Sequence, residues 1–387
     1  MDGKTAKALE LLERLISFDT SNLPGNEKPC AEYLEDLLKR AGFETVLQIM
    51  PDAPERANVI ASIGGNGRNR KSLIYNGHLD VVPAGEGWSS DPFQAVIRDG
   101  KIYGRGACDM KGGVAAMAAA ALSLAEEGFF STGGKLILVF VCDEELHDMG
   151  VRHYIASPEF VKADYGVISE PSGGKFCLAH RGVARYEISV LGVSCHAGVP
   201  EKGINAMTNA GYALLALEKL SEKLAMRTHE ILPPPTLAPT VIRGGLKDNI
   251  VPDLITIQVD RRMLPGETLE SCQREIEEVL DQVKEEKAGF DYSIRPYVCL
   301  NAGYVAADSE IVKICNQVYE KAVGKKAENT YFTGGNDQNF LVDAGVPTLV
   351  FGPGSLDQAH TVDEYVSIKE MEESTEFFYQ LAKEILQ

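Results

Sequence analysis

The amino-acid sequence lacks any apolar run of about 18 residues or more, the length that a membrane-spanning helix requires. The strongly apolar stretch at residues 136–142 has only the length of a strand. Residues 1–15 mix Lys, Glu and Arg at helical spacing and do not resemble a signal peptide. We therefore expect neither a membrane span nor a secretory leader.

The sequence also lacks a Cys-x-x-Cys pair, although it contains eight cysteines. Several of the cysteines lie within apolar runs, where buried thiols are common. This distribution favours reduced thiols in a cytoplasmic protein over a disulfide framework. The cysteines are Cys30, Cys108, Cys142, Cys177, Cys195, Cys272, Cys299 and Cys315.

The sequence has fewer basic than acidic residues, with 38 Lys and Arg against 56 Asp and Glu, which gives a net charge of −18. This balance argues against nucleic acid or an anionic membrane as the main partner. The glycine-rich stretch at 64–67 lacks the Lys-Ser/Thr of a phosphate-binding loop, so we expect a hairpin turn there. With 387 residues, the chain is long enough for two domains or for one domain with a large insertion.

The stretch around His78 and Asp80 organises the rest of the chain. A short apolar run at 72–75 predicts a buried strand, and these two residues follow where the strand should end. Residues two apart in extended backbone point the same way, so both side chains share a face at the strand end. An imidazole beside a carboxylate suits zinc or a similar divalent metal, although a capped turn would have the same sequence.

A second apolar run, at 135–142, ends in Asp143, Glu144 and Glu145. Three acidic side chains in a row repel one another unless they are solvated or bound to cations. A surface turn and a cation site therefore both remain open for this stretch.

Two further strands follow the same design. The strand expected at 164–168 precedes Glu170, and the strand at 347–351 precedes His360 after a loop. Asp109 lies on a glycine-rich loop that opens an alanine-rich helix, where it could serve as a helix cap or reach the same edge. Two histidines and several carboxylates at strand ends suit two metals that share a bridging carboxylate.

The middle of the chain has a different pattern. Its apolar periods predict the order β-α-β-β-α-β, which is the split βαβ pattern of a ferredoxin-like unit. We therefore expect an α/β metal-binding domain formed by residues 1–182 and 299–387, interrupted by a second domain at 183–298. The elements predicted within it lie at 183–191, 203–220, 236–243, 253–262, 267–286 and 291–298.

The ordered motifs resemble those of the family that contains acetylornithine deacetylase, succinyl-diaminopimelate desuccinylase, aminoacylase-1, carboxypeptidase G2 and related dipeptidases. The resemblance covers essentially the whole length. It implies an α/β fold: a metallo-exopeptidase-like α/β/α catalytic domain with an inserted ferredoxin-like lid that often dimerises. The motifs are Gly77-His78-Leu79-Asp80, Asp109-Met110-Lys111-Gly112-Gly113, Asp143-Glu144-Glu145, Ser169-Glu170-Pro171, Ser194-Cys195-His196-Ala197-Gly198, Asp260-Arg261-Arg262, Gly334-Gly335-Asn336-Asp337 and Ala359-His360.

The resemblance implies a role for each residue at the strand ends. One metal would be held by His78 and Glu170, and the other by Glu145 and His360. Asp109 would bridge the two metals. Asp80 would orient His78, as outer carboxylates commonly orient metal-binding imidazoles, and Glu144 would be the general base.

The resemblance also implies roles for residues of the lid. His196 would reach across a dimer and donate to the oxyanion in the other subunit. Arg262 and Asn249 would bind the carboxylate of the substrate, for which Arg offers a bidentate fork. Arg181 is either a further substrate contact or a hinge-region ion pair, and Gly335 belongs to the expected substrate pocket. His147 departs from the glycine of many relatives; it is either a hydrogen-bond donor behind the metal ligands or exposed, and we expect it to be exposed.

The leading hypothesis is a cytoplasmic, homodimeric amidohydrolase that cleaves an N-acyl amino acid and carries two Zn²⁺ ions per subunit. Co²⁺ or Mn²⁺ would fit the same ligands. A dipeptidase or carboxypeptidase of the same family is the alternative. A binding protein that has lost catalysis is a third possibility, but the motifs lack none of the residues that the reaction needs.

Overall fold

The computed structural model describes residues 2–65, 70–131 and 133–387, so that Asn66 and Gly67 of the expected hairpin turn lie outside the described residues. The chain divides into two compact units. The large unit comprises Met1–Ala179, Tyr304–Phe332 and Asn336–Gln387, and the inserted unit comprises His180–Gly303 with Thr333–Gly335. The inserted unit thus starts at residue 180 where we predicted 183, and its main segment ends at 303 where we predicted 298.

The helices and strands of the described residues are numbered in chain order. The helices are α1 (Gly3–Ile16), α2 (Lys28–Arg40), α3 (Lys111–Glu126), α4 (Met149–Ala156), α5 (Ala206–Ala225), α6 (Leu269–Glu286), α7 (Glu310–Val323), α8 (Gln338–Asp343) and α9 (Ile368–Leu386). The strands are β1 (Glu44–Met50), β2 (Ala53–Gly64), β3 (Ser72–His78), β4 (Val96–Arg98), β5 (Lys101–Tyr103), β6 (Lys135–Val141), β7 (Tyr165–Ile168), β8 (Phe176–His180), β9 (Gly182–Leu191), β10 (Cys195–His196), β11 (Thr236–Gly244), β12 (Ile250–Val251), β13 (Leu254–Met263), β14 (Asp291–Leu300), β15 (Gly303–Tyr304), β16 (Asn329–Phe332), β17 (Thr348–Val350) and β18 (Tyr365–Ser367).

The main sheet has the strand order β1-β2-β6-β3-β7-β17-β8-β15, with β16 paired to β8. Its central strands β6, β3, β7 and β17 run parallel. The apolar residues of these strands are buried, as expected for parallel strands covered by helices on both faces. The predicted α/β class is confirmed, and the parallel strands direct their carboxyl ends toward one edge of the sheet.

Helix α3 begins three residues before the predicted start at 114. Its first turn contains Gly112 and Gly113, and a Cβ at either position would lie within 2.4 Å of the backbone oxygen of Ala107 or Ser169. Because glycine has no Cβ, the first turn of the helix can pack directly against these backbone oxygens. This close packing outweighs the low helix propensity of glycine. Nearly all of α3 is buried, which explains why it is alanine-rich on every face.

The inserted unit has the predicted order β-α-β-β-α-β, which is confirmed. Its four main strands form an antiparallel sheet in the order β11-β13-β9-β14, and α5 and α6 pack against the sheet through a shared apolar core. Helix α5 starts at Ala206, later than the predicted 203, because the side chain of Asn205 accepts the N–H groups of Met207 and Thr208 and caps it. The short pair β10 and β12 has no counterpart in the prediction.

Among the described residues, α5 and α9 are the longest helices, and no helix combines the length and the apolar character that crossing a bilayer would require.

Candidate metal centre

The candidate metal centre lies at the carboxyl-terminal edge of the parallel strands in the large unit. His78 is the last residue of β3, Glu144 and Glu145 follow β6, and Glu170 follows β7. The register of the sheet aligns the strand ends, since His78 is opposite Val141 and Asn76 is opposite Ile168. The strand ends therefore bring together side chains that are far apart in the sequence.

Asp109 lies between two histidines. Its Oδ1 is 3.2 Å from Nε2 of His78, and its Oδ2 is 3.3 Å from Nε2 of His360. Each histidine has a second carboxylate nearby: Glu170 Oε1 is 3.6 Å from Nε2 of His78, and Glu145 Oε1 is 3.0 Å from Nε2 of His360. The result is two imidazole–carboxylate pairs on either side of one shared carboxylate.

Glu144 belongs to the same cluster but approaches it differently. Its Oε2 is 3.9 Å from Nε2 of His78, and its ligand atoms, with those of His78 and Glu170, lie within 4.8 Å of one another. The side chain is largely buried. Glu144 and Glu145 thus point to different partners, which allows adjacent residues to have different tasks.

Asp80 contacts His78 through a different atom than we expected. Nδ1 of His78 is 2.9 Å from the backbone oxygen of Asp80 and 3.7 Å from its carboxylate. The carboxylate instead accepts the backbone N–H groups of Glu144 and Glu145, each at 3.1 Å. Because a carbonyl oxygen only accepts, Nδ1 of His78 donates to it, and Nε2 is the nitrogen that faces Asp109.

Burial and mutual repulsion dominate the electrostatics. Burial raises the pKa values of Glu144 and Glu170 well above their ordinary range, and nearby carboxylates raise them further. Burial opposes protonation of His78, but the hydrogen bond with Asp109 and the surrounding carboxylates outweigh it and raise its pKa. Hydrogen bonds with Asp109 and Glu145 raise the pKa of His360 to about 10.

These shifts mean that the cluster by itself retains protons that its residues would ordinarily release. Divalent cations could neutralise the carboxylates in the place of those protons. Imidazole nitrogens and carboxylate oxygens are the ligand types that zinc and related metals prefer. The donor set therefore fits two cations, one on each side of Asp109.

Two acidic residues that we did not assign also face Glu144. Ligand atoms of Glu144, Asp148 and Asp337 lie within 4.8 Å of one another. Burial raises the pKa of Asp337 to about 7 and that of Asp148 to about 6. Asp337 was visible in its glycine-rich motif, but no pattern in the sequence indicates that the start of α8 lies beside Glu144.

The loop that carries Asp109 is held by another unassigned residue, Glu364, which is fully buried. Its Oε1 accepts the N–H groups of Cys108 at 2.8 Å and Asp109 at 3.0 Å, while its Oε2 pairs with Arg105 at 2.5 Å. Glu364 therefore fixes the backbone of the residue that lies between the two histidines.

Behind Asp80 is a buried polar network that the sequence did not reveal. Asn22 donates through Nδ2 to the carboxylate of Asp80 at 2.7 Å, and Arg56 forms an ion pair with Asp143 and a hydrogen bond to Oδ1 of Asn22. Glu27 lies 3.5 Å from Arg56, and neither of its carboxylate oxygens has a hydrogen-bond partner among the described residues. Burial and the charge of Asp80 raise the pKa of Glu27 to about 7.

The remaining predicted site residues belong to the inserted unit. His196 is exposed, and its Nδ1 accepts the N–H of Gly198 at 3.0 Å. Asn249 lies beside it, since the backbone oxygen of Asn249 accepts the N–H of Ala197 at 2.9 Å. Arg262 lies near the end of β13 and donates through Nε to Asp260 at 2.8 Å. Strand β12 and Asn249 precede the start of β13, so Arg262 and Asn249 lie at opposite ends of that strand.

Arg181 and Gly335 also fall within the inserted unit. Arg181 donates to the backbone oxygen of Pro234 at 3.2 Å, and Gly335 lies in the segment Thr333–Gly335. In the large unit, His147 is exposed, as expected, with Nδ1 3.5 Å from Asp143.

The chain is similar to known proteins in both sequence and fold. Residues 74–384 match the model of Peptidase family M20/M25/M40. An acetylornithine deacetylase of Proteus mirabilis is 31% identical over 392 residues, which cover 98% of this chain and 97% of the relative. The fold is similar to that of aminopeptidase PepT from Bacillus cereus, with a TM-score of 0.82, 22% identity and 98% of each chain covered. It is also similar to the YxeP protein of Bacillus subtilis, described as a dinuclear metal-binding peptidase, with a TM-score of 0.74, 15% identity, and 98% of this chain and 97% of that chain covered.

We predict that Glu27→Gln stabilises the metal-free protein at pH 8 but not at pH 4. The folded protein holds the proton of Glu27 up to about pH 7, whereas the unfolded chain releases it near 4.5, so wild-type stability falls as the pH rises between these values. Glutamine removes this loss, which amounts to about 3 kcal/mol at most for a shift of this size. Urea unfolding at both pH values, with the exposed Glu10→Gln as control, measures the difference. An equal effect at the two pH values would contradict the prediction.

Proposed function

The chain belongs to peptidase family M20/M25/M40 and is a metal-dependent hydrolase of amide bonds, and we propose that it removes the acyl group from an N-acyl amino acid. The observation that carries this proposal is the carboxylate of Asp109 between two imidazole–carboxylate pairs. The similarity to an acetylornithine deacetylase over nearly the full length of both chains favours a deacylase over a peptidase. A free carboxylate on the substrate is part of the proposal.

We assign His78 and Glu170 to one metal, His360 and Glu145 to the other, and Asp109 to both. The distances between these side chains support the assignment. Two Zn²⁺ ions suit the ligands best, although Co²⁺ or Mn²⁺ would be accepted. When bound, two such cations would lower the pKa of water and polarise the carbonyl of the scissile amide.

Glu144 is proposed as the general base. It takes a proton from the attacking water and passes it to the nitrogen of the leaving amine. The hydrogen bond from its backbone N–H to Asp80 supports this role, because it fixes the base while the side chain remains outside the two imidazole–carboxylate pairs. Asp80 thus accepts the backbone N–H groups of Glu144 and Glu145 with its carboxylate, and it accepts a hydrogen bond from His78 with its backbone oxygen.

His196 is proposed to donate a hydrogen bond to the developing oxyanion in the site of a second copy of the chain. Its Nδ1 accepts a backbone N–H, so the neutral ring carries its proton on Nε2, and the side chain is exposed. Oxyanion donors of this kind contribute about 3–4 kcal/mol in known enzymes. Arg262 would hold the carboxylate of the substrate, and Asp260 orients its guanidinium through Nε. Asn249, which lies beside His196 at the other end of β13, is proposed as a substrate contact on the side of His196. Arg181 and Gly335 are proposed as further pocket residues.

A homodimer through the inserted unit is also proposed. Strand β11 lies at the edge of its sheet, and edge strands offer unpaired backbone groups to a second strand. Apolar side chains on and near this edge are exposed, with Ile242 at 55% and Leu246 at 88% of their surface. Two copies paired antiparallel through β11 would form a closed two-fold interface. We also propose that the protein acts in the reducing cytoplasm, since its eight cysteines include no Cys-x-x-Cys pair and most of them are buried.

A substrate panel tests the proposed activity. We expect amine release from N-acetyl, N-succinyl or N-formyl amino acids, including N-acetylornithine, to exceed release from unblocked dipeptides, with zinc and then cobalt supplied. The methyl ester of the best substrate should be poor, because it lacks the carboxylate that Arg262 would bind. Faster cleavage of dipeptides would move the protein to the peptidase alternative.

We expect Glu144→Gln to lower kcat by about 10²- to 10⁴-fold, because the amide cannot accept the proton of the attacking water. Metal content, measured by atomic absorption, should remain that of the wild type. The exposed Glu86→Gln is the control and should retain full activity. A Glu144→Gln protein with normal metal content and most of its activity would rule out this residue as the base.

The dimer proposal is tested by Ile242→Lys, which places a charge on the β11 edge. We expect the wild type to sediment as a dimer at micromolar concentration and the variant as a monomer with much reduced activity. Ile97→Lys is a matched control, since Ile97 is 52% exposed on β4 of the large unit and should leave the dimer intact. A fully active wild-type monomer would contradict the proposal.

A further inference from the structure

The loop between α1 and α2 reaches the rear of the candidate metal centre. Its backbone pairs with the segment that follows β3: Val81 donates to the oxygen of Thr20 at 3.1 Å, and Asn22 donates to the oxygen of Val81 at 2.9 Å. The loop and Arg56 on β2 both precede residue 74, where the match to the family model begins. Residues outside the matched segment therefore contribute to the surroundings of the site.

Asn22 connects the loop to Asp80. Its Nδ2 lies 2.7 Å from Oδ2 of Asp80 and 3.3 Å from Oδ1 of Asp143, and its Oδ1 accepts a hydrogen bond from Arg56. The side chain is 8% exposed. Its amide is thus oriented at both ends, with the donor directed at the two carboxylates and the acceptor at the guanidinium.

Arg56 fixes the orientation of Asn22. The guanidinium is 4% exposed, forms the ion pair with Asp143, and also donates to the backbone oxygen of Pro24 at 3.0 Å. A planar fork can satisfy these partners together, whereas the single nitrogen of a lysine cannot. Arg56 therefore holds the loop, Asn22 and the turn after β6 in one arrangement.

The network ends on the backbone of Glu144 and Glu145. The carboxylate of Asp80 accepts both of their N–H groups, and Asp143, with a φ of 61°, turns the chain immediately before them. Any shift of Asp80 would therefore move the proposed base and a proposed metal ligand together. A displacement of this kind is costly, because metal ligands and catalytic groups depend on outer hydrogen bonds for their geometry.

The composition of the network is poorly explained by stability alone. Two buried carboxylates, those of Glu27 and Asp143, lie beside the guanidinium of Arg56, and a third, that of Asp80, is connected to it through Asn22. Buried ion pairs are commonly no more stabilising than apolar replacements, and the oxygens of Glu27 have no hydrogen-bond partner among the described residues. A buried network of this kind is more readily explained by what it positions.

We infer that Asn22 and Arg56 are positioning residues that hold, through Asp80, the backbone of Glu144 and Glu145 in the geometry that metal binding and proton transfer require. The inference rests on the proposed function of that site. It assigns a task to residues that neither the motifs nor the matched family segment include.

Asn22→Ala and Arg56→Lys test the inference. Asn22→Ala removes the donor to Asp80 without leaving an unpaired buried cation, so it also serves if Arg56→Lys fails to fold. We expect Co²⁺ affinity, measured by chelator competition, to fall by about 10- to 100-fold and the visible Co²⁺ spectrum to change. We also expect kcat to fall by a similar factor while KM stays within about twofold.

Asn209→Ala is the matched control, since Asn209 is 7% exposed and donates to the backbone oxygen of Gly289 within the inserted unit. It should reproduce any general loss of stability without altering Co²⁺ affinity or spectrum. Unchanged Co²⁺ affinity and kcat in a folded Asn22→Ala protein would overturn the inference. Wild-type protein that bound no metal or cleaved no amide would instead overturn the proposed function, so the two failures are distinguishable.

Discussion

The structure depends most on the crowding of like charges at one edge of the parallel strands. Strand ends bring Glu144, Glu145 and Glu170 to the same place, and Asp109 enters the space between them from a loop. The raised pKa values of the three glutamates express the cost of burying these charges together. Divalent cations would relieve that cost, so the same crowding that opposes folding would favour metal binding.

Such crowding requires a rigid frame, and two similar devices provide it. In each device a buried carboxylate accepts two consecutive backbone N–H groups of a site loop. Asp80 binds those of Glu144 and Glu145, and Glu364 binds those of Cys108 and Asp109. Arg105 pairs with Glu364 directly, whereas Arg56 acts on Asp80 through Asn22. Both sides of the centre are thus held through the backbone, which leaves the side chains available for metal and substrate.

The sequence was informative wherever a periodic pattern leads directly to a position in the fold. Apolar runs followed by acidic residues predicted the common edge, because parallel strands in one sheet direct their carboxyl ends the same way. The alternation along β13 and the charged period of α6 likewise predicted the inserted unit. The predicted ends of some helices were wrong because they depend on local contacts that a hydrophobic period does not encode. Examples are the cap at Asn205 and the close backbone approaches at Gly112 and Gly113.

The residues that the sequence did not reveal share a physical reason. Asn22, Arg56 and Glu364 act through hydrogen bonds to partners far away in the sequence: Asn22 to Asp80 across 58 residues, Arg56 to Asn22 across 34, and Glu364 to Asp109 across 255. A polar residue in a loop has the same local sequence whether it faces solvent or supports a buried carboxylate. Whether such a residue faces solvent or supports a buried carboxylate is determined only when the strands and loops assemble in the folded chain. The motifs therefore identify the groups that would bind metal, while the residues that orient them emerge only from the folded chain.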